Sequence, residues 1–162
     1  MQGGSYARTQ EGIRAPGGRY AIVVARFHES ITKRLATGAE AALRARGVEE
    51  DAVETFWVPG SFELPLAAQT VAQSGRFRGV VCLGCLIRGE TAHFEFIAQA
   101  CADGLTQVAL DTGIPMGFGV LTTDTPAQAE ARAVDGPDNK GYEAALAVIE
   151  MAALAARVRG GE

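Results

Sequence analysis

Apolar and polar positions along the chain follow two patterns. Some short runs are apolar throughout, and longer stretches carry apolar residues every three or four positions. YAIVVA (20–25) is a run of the first kind, as expected of a strand covered on both faces. Residues 29–46 are of the second kind. Ile31, Leu35, Ala39, Ala42 and Leu43 share one helical face, Lys33, Arg34, Glu40 and Arg44 face outward, and Gly47 ends the helix. AVETFWV (52–58) predicts a second strand. PGSFELPLAAQTVAQSG (59–75) predicts a turn and a second helix, with Pro65 tolerated only in its first turn. GVVCLG (79–84) predicts a third strand, and Thr91–Asp111 a long helix stopped by Gly113 and Pro115. MGFGVLTT (116–123) predicts the fourth strand. A short helix over Thr125–Ala133 and a last one over Tyr142–Val158 complete the series.

Strands separated by helices require right-handed crossovers and a parallel sheet with helices on both faces. The expected fold is therefore α/β, a three-layer αβα sandwich with a four-stranded parallel sheet of flavodoxin-like type. Residues 1–18 read as a flexible N-terminal arm and 19–162 as one domain. In such sheets ligands bind beyond the carboxyl ends of the strands. That rule selects four loops: Phe27–His28, Pro59–Glu63, Cys85–His93 and Thr122–Asp124. The last helix, EAALAVIEMAALAARV, is apolar almost all round, which predicts burial on more than one side and hence packing between subunits.

Composition removes several classes of function. A formal charge of −4 without a basic stripe argues against nucleic acid as a partner. No apolar run is long enough for a bilayer crossing, and the first residues have no apolar segment of the secretory kind, so membranes are not expected as partners and a cytoplasmic location is. Three cysteines imply no disulfide framework.

Several short patterns carry chemistry. CLGC (82–85) has redox or zinc spacing, but an extended strand separates residues three apart and turns them to opposite faces, so two core cysteines are the better reading. Glu90-x-x-His93 lacks the second pair of a di-metal site, and His93-x-Glu95 lacks the P-C-x-x-C partner of zinc deaminases, so no metal is expected. RGETAHF (88–94) reads better as an anion site. Backbone N–H groups of Gly89–Thr91 precede a helix, the Thr91 hydroxyl adds a donor, and His93 supplies an imidazole for proton transfer. A plain threonine cap and a surface histidine explain the same residues. Phe27 follows the first strand, where its ring could stack on a planar ligand or cap the core. Arg132 and Lys140 flank a polar segment, as phosphate ligands or as solvated charges. No Walker A or G-x-G-x-x-G motif is present.

ARF (25–27), VPGSFELP (58–65), LGCLIRGETAHFEFI (83–97), GFGVLTTDT (117–125) and NKG (139–141), in this order and spacing, resemble the lumazine synthase family over about residues 20–158. The resemblance implies condensation of 5-amino-6-(D-ribitylamino)uracil with 3,4-dihydroxy-2-butanone 4-phosphate in riboflavin biosynthesis, without metal or organic cofactor. It implies that Phe27 stacks on the pyrimidine and that Ser61, Phe62 and Glu63 hold ring and ribityl chain with Cys85, Leu86 and Ile87. Glu90, Thr91 and Arg132 would bind phosphate, and His93 would carry protons. Phe118 would close the pocket from a neighbouring subunit, and Lys140 would act near the pyrimidine carbonyl or the phosphate. The family commonly has Asn at the position of His28. It assembles as homopentamers, in some members closed into sixty-subunit icosahedral shells, and no insertion between Arg132 and Asn139 forbids a shell here. Two rivals remain in other classes: a Cys/His hydrolase with Cys85 as nucleophile and His93 as base, and a non-catalytic flavin-related binding or shell protein.

Overall fold

The computed structural model describes residues 12–160. Four parallel strands, β1 (Arg19–Ala25), β2 (Val53–Val58), β3 (Phe77–Ile87) and β4 (Met116–Thr123), form one sheet in the order β2-β1-β3-β4. Five helices connect and follow them: α1 (Glu29–Ala45), α2 (Leu64–Gln73), α3 (His93–Thr112), α4 (Pro126–Ala131) and α5 (Lys140–Val158). The expected α/β sandwich is the observed one. Among the described residues no helix is long and apolar enough to cross a membrane.

Alternation along the strands builds two cores. Tyr20, Ile22, Val24, Val81, Leu83 and Leu121 pack under α1 and α5. Ala21, Val23, Val80, Cys82 and Val120 pack under α2 and α3. A run such as YAIVVA is apolar throughout because each successive side chain enters one core or the other. α5 lies close on the sheet because β4 is glycine-rich there. A Cβ at Gly117 would fall 2.7 Å from the Ala144 carbonyl oxygen and 2.8 Å from Val148 Cγ2.

Where boundaries differ from expectation, pairing and capping decide. β3 runs to Ile87, past the expected Gly84, because Cys85, Leu86 and Ile87 pair with Leu121, Thr122 and Thr123 of β4. α3 starts at His93 instead of Thr91, with Ala92 as its N-cap. α5 starts at Lys140 instead of Tyr142, because the Asn139 side chain accepts from the Gly141 and Tyr142 amides. Most of the apolar surface of α5 is buried within the chain, between α1 and the sheet, leaving Met151, Leu154 and Val158 exposed. Its all-round apolar character thus reflects two-sided burial in one subunit. Of the expected arm, residues 1–11 lie outside the described residues. Residues 13–16 are bound to the domain: Ala15 N–H donates to the Arg46 carbonyl (2.9 Å), Arg46 to the Ile13 carbonyl (3.2 Å), and the Tyr20 hydroxyl to the Pro16 carbonyl (2.8 Å).

Asn139 is almost fully buried and saturated. Its amide nitrogen also donates to the carbonyls of Arg34 (3.0 Å) and Val134 (2.9 Å), joining α1 to the segment before α5. Asn139→Ala should therefore cost about 2–4 kcal/mol, from a lost cap and two carbonyls left without their donor. Denaturant midpoints at fixed protein concentration check this; a change below about 0.5 kcal/mol would show that the hub is unimportant.

Candidate active site

The strand order places β1 between β2 and β3. The loop after β1 leaves toward α1 on one face, and the loop after β3 leaves toward α3 on the other. Such divergence opens a crevice at the carboxyl edge. A cleft of about 720 Å³ lies there, lined by Phe27, Pro59–Glu63, Leu86, Ile87, Gly89, Thr91, His93, Phe94, Phe96 and Ile97. It thus gathers Phe27, Ser61, Phe62, Glu63, Leu86, Ile87, Thr91 and His93 from three separate parts of the sequence.

Local structure explains the placement. Past the strand ends, the Arg26 amide donates to the Val58 carbonyl (2.8 Å) and the Phe27 amide to the Pro59 carbonyl (3.1 Å), so the first two loops stay in register. His28 then turns the chain with φ 61° and ψ 49°, the only positive φ outside glycine among the described residues. Asn tolerates this left-handed backbone better than most side chains, which gives the family's Asn a physical reason. The His28 ring meets Phe27 edge-on, with centroids 4.6 Å apart and planes at 63°. Phe27 remains 64% exposed. Ser61, by contrast, is buried, and it sits where a Cβ on Gly84 would come 2.5 Å from its hydroxyl oxygen.

On the same cleft, Gly89–Thr91 forms a turn ahead of α3. A Cβ on Gly89 would meet nothing within 4 Å, so packing within the chain does not demand the glycine. α3 begins at His93, so the amides of its first turn follow Gly89–Thr91 in sequence, and the His93 amide makes a long bond (3.4 Å) to the Thr91 hydroxyl. Glu90 is exposed on the turn. Among the described residues neither arginine nor lysine lines this cleft.

The remaining charged candidates lie elsewhere on the chain. Phe118, Arg132 and Lys140 line a second cleft of about 530 Å³ beside β4 and α5. Arg132 donates to the Gln128 carbonyl (3.0 Å), and its own carbonyl accepts from the Lys140 amide (2.9 Å). Lys140 pairs with Glu143 at 2.9 Å. Phe118 is half exposed. One chain therefore separates Arg132 from Glu90 and Thr91.

Cys85 lies on the inner side of β3, buried, and does not line the first cleft. Burial pushes its thiol up to about 11. Only the thiolate is a good nucleophile, so this position opposes the hydrolase rival. Sequence reasoning passed over Phe96 and Ile97, although positions three and four beyond His93 must share its helical face. It also passed over Arg88. The guanidinium of Arg88 binds Asp124 (2.8 Å) and Glu95 (2.7 Å) and lies 4.8 Å from the centre of the Phe94 ring.

A family model described as 6,7-dimethyl-8-ribityllumazine synthase matches residues 17–156. The match spans β1 to α5 and includes every lining residue of both clefts.

Cys85→Ser should leave turnover within about threefold of the original, since a protonated buried thiol contributes no nucleophile. Steady-state rates check this; a loss above about a hundredfold would restore the cysteine hydrolase.

Proposed function

The chain belongs to the 6,7-dimethyl-8-ribityllumazine synthase family, a family of riboflavin biosynthesis, and from that premise we propose that it condenses 5-amino-6-(D-ribitylamino)uracil with 3,4-dihydroxy-2-butanone 4-phosphate. The products are 6,7-dimethyl-8-ribityllumazine, phosphate and water. One observation carries the reading: a single cleft brings together the exposed Phe27 ring, and His93 on a helix start beside the Gly89–Thr91 turn. That combination of apolar face, imidazole and helix start suits a flat heterocycle meeting a phosphorylated ketone.

The chemistry is a series of proton transfers. The aromatic amine adds to the ketone, and the adduct loses water to become an imine. Removal of the proton beside the imine carbon lets phosphate leave from the next carbon, taking the C–O bond electrons. The resulting enol gains a proton at its terminal carbon, which becomes a methyl group. The ribityl-bearing nitrogen then closes the ring on the new carbonyl, again with loss of water. His93 is the group on this cleft suited to accept and return each proton. Amide dipoles stabilise the leaving phosphate. Holding two reactants together can supply about 7–11 kcal/mol, so proximity carries most of the acceleration.

Charge supports a site completed by a second copy. The phosphate end of the first cleft has Glu90, Glu95 and Asp124 nearby, and its one neighbouring arginine, Arg88, is already bonded to two of them. A phosphate dianion needs further positive charge. Arg132 and Lys140, with the half-exposed Phe118, stand on the second cleft and would meet the first in an adjoining subunit. Exposed Phe27, Phe62, Phe96 and Phe118 are the apolar surface such a contact would cover. The family resemblance supports assembly as a cytoplasmic homopentamer, which a sixty-subunit shell would extend.

Mixing the purified protein with both substrates should produce the absorbance and fluorescence of the lumazine; their absence would end the proposal. His93→Ala should slow turnover by about one to two decades, because proximity persists without the imidazole. Arg132→Ala should cost considerably more and raise the requirement for the phosphorylated substrate. Steady-state kinetics showing the opposite order would refute this division of roles.

A further inference from the structure

We propose that Arg88 is a positioning residue, a three-way clamp that fixes the anion-holding turn against the end of β4 and the first turn of α3. The inference rests on the reading of Gly89–Thr91 as the phosphate end of the site. Its argument is geometric. β3 stops at Ile87, and the Arg88 amide makes one more bond across the sheet edge, to the Thr123 carbonyl at 2.8 Å. The side chain then reaches two other elements. Nε donates to Asp124 Oδ1 at 2.8 Å, just past β4, and Nη1 donates to Glu95 Oε1 at 2.7 Å, in the first turn of α3. The guanidinium also lies 4.8 Å from the centre of the Phe94 ring, which lines the cleft.

The turn and His93 lie between these two anchors, Arg88 at one end and Glu95 at the other. Within the turn, the Thr91–His93 bond is long at 3.4 Å, so its own bonding holds it weakly. Asp124 is tied in turn to the start of α4, since its amide donates to Gln128 Oε1 at 2.8 Å, within the Thr125–Gln128 capping box. The clamp thus fixes the donors of the turn and the start of the helix leading to Arg132. A planar guanidinium can serve two carboxylates in different directions while stacking on a ring; an ammonium cannot. Arg88 side-chain exposure is 47%, and exposed ion pairs add little to stability. The benefit lies in location. A guanidinium already bonded to two carboxylates is a poor direct phosphate ligand, so Arg88 acts through the turn.

The test uses the full-length assembled protein and four forms: the original, Arg88→Lys, Arg88→Ala, and the double variant Glu95→Ala with Asp124→Ala. Calorimetric titration with inorganic phosphate at fixed ionic strength reads the turn directly. Steady-state kinetics reads KM for each substrate. Arg88→Ala should weaken phosphate binding and raise KM for the phosphorylated ketone about tenfold, while KM for the pyrimidine stays within about twofold. Arg88→Lys should fall between it and the original, and should decide the matter if the alanine variant fails to fold. The double variant should also weaken phosphate, although it removes two negative charges near the anion. The proposal is overturned if the original protein shows no phosphate binding, or if lysine fully replaces arginine. It is likewise overturned if the alanine or double variant binds phosphate as tightly as the original, or if both KM values rise together. A protein that binds phosphate but makes no lumazine would end the assigned reaction, and the phosphate titration would still judge Arg88.

Discussion

The parallel pairing of β1 with β2 on one side and β3 on the other is the constraint on which the rest of the molecule depends. Tyr20 to Ala25 align with Val53 to Val58, and Tyr20 to Val24 align with Gly79 to Leu83. Because side chains alternate, a slip by one residue would exchange the Ala21–Val23 core with the Tyr20–Ile22–Val24 core, and both are filled to fit. The register also delivers the loops at one level. Phe27 meets Pro59, and Arg88 meets Thr123, because the ladders continue past the strand ends. Placement of Phe27, the buried Ser61 and the Gly89–Thr91 turn is therefore a backbone property before it is a side-chain one.

The two edges of the sheet are treated differently. At the amino ends, Arg19 and Arg76 both bond Glu54, and the pair of guanidinium groups holds that carboxyl below its ordinary range. Those charges are mutually committed around the Phe77 ring. At the carboxyl ends Arg88 bonds Glu95 and Asp124 near the turn, while Arg132 and Lys140 line a different cleft. On the proposed reading, a chain with the Gly89–Thr91 turn on one cleft and Arg132 on another works against a copy of itself. Under that proposal, alignment of the two substrates, the largest expected source of rate, depends on how subunits dock.

Much of this was legible in the sequence. YAIVVA and GVVCLG announced strands covered on both faces, and the loops after them announced the cleft. What escaped had physical causes. Cys85 to Ile87 extended β3 because β4 was there to pair with, a long-range fact that no local run contains. The expected start of α3 fell two residues early because a threonine before a helix invites the cap position, which Ala92 takes instead. The all-round apolar α5 suggested a subunit interface, yet burial between α1 and the sheet accounts for most of it. The exposed rings of Phe27, Phe62 and Phe96 are better signs of a contact, and exposure cannot be read from residue type. His28 was visible as a departure from the family, but its left-handed backbone and its contact with Phe27 required coordinates.

Subunit complementation tests most directly the claim that one working site needs two chains. One variant would lose the first cleft, by Phe27→Ala with His93→Ala, and the other would lose the second, by Arg132→Ala. Each alone should be feeble. Unfolded together in equal amounts and reassembled, they should recover about a quarter of the original rate, the share of interfaces at which an intact first cleft meets an intact second one in a ring of identical contacts. Activity no higher than the mean of the two separate variants would contradict the account, because it would place all the groups needed for turnover on a single chain.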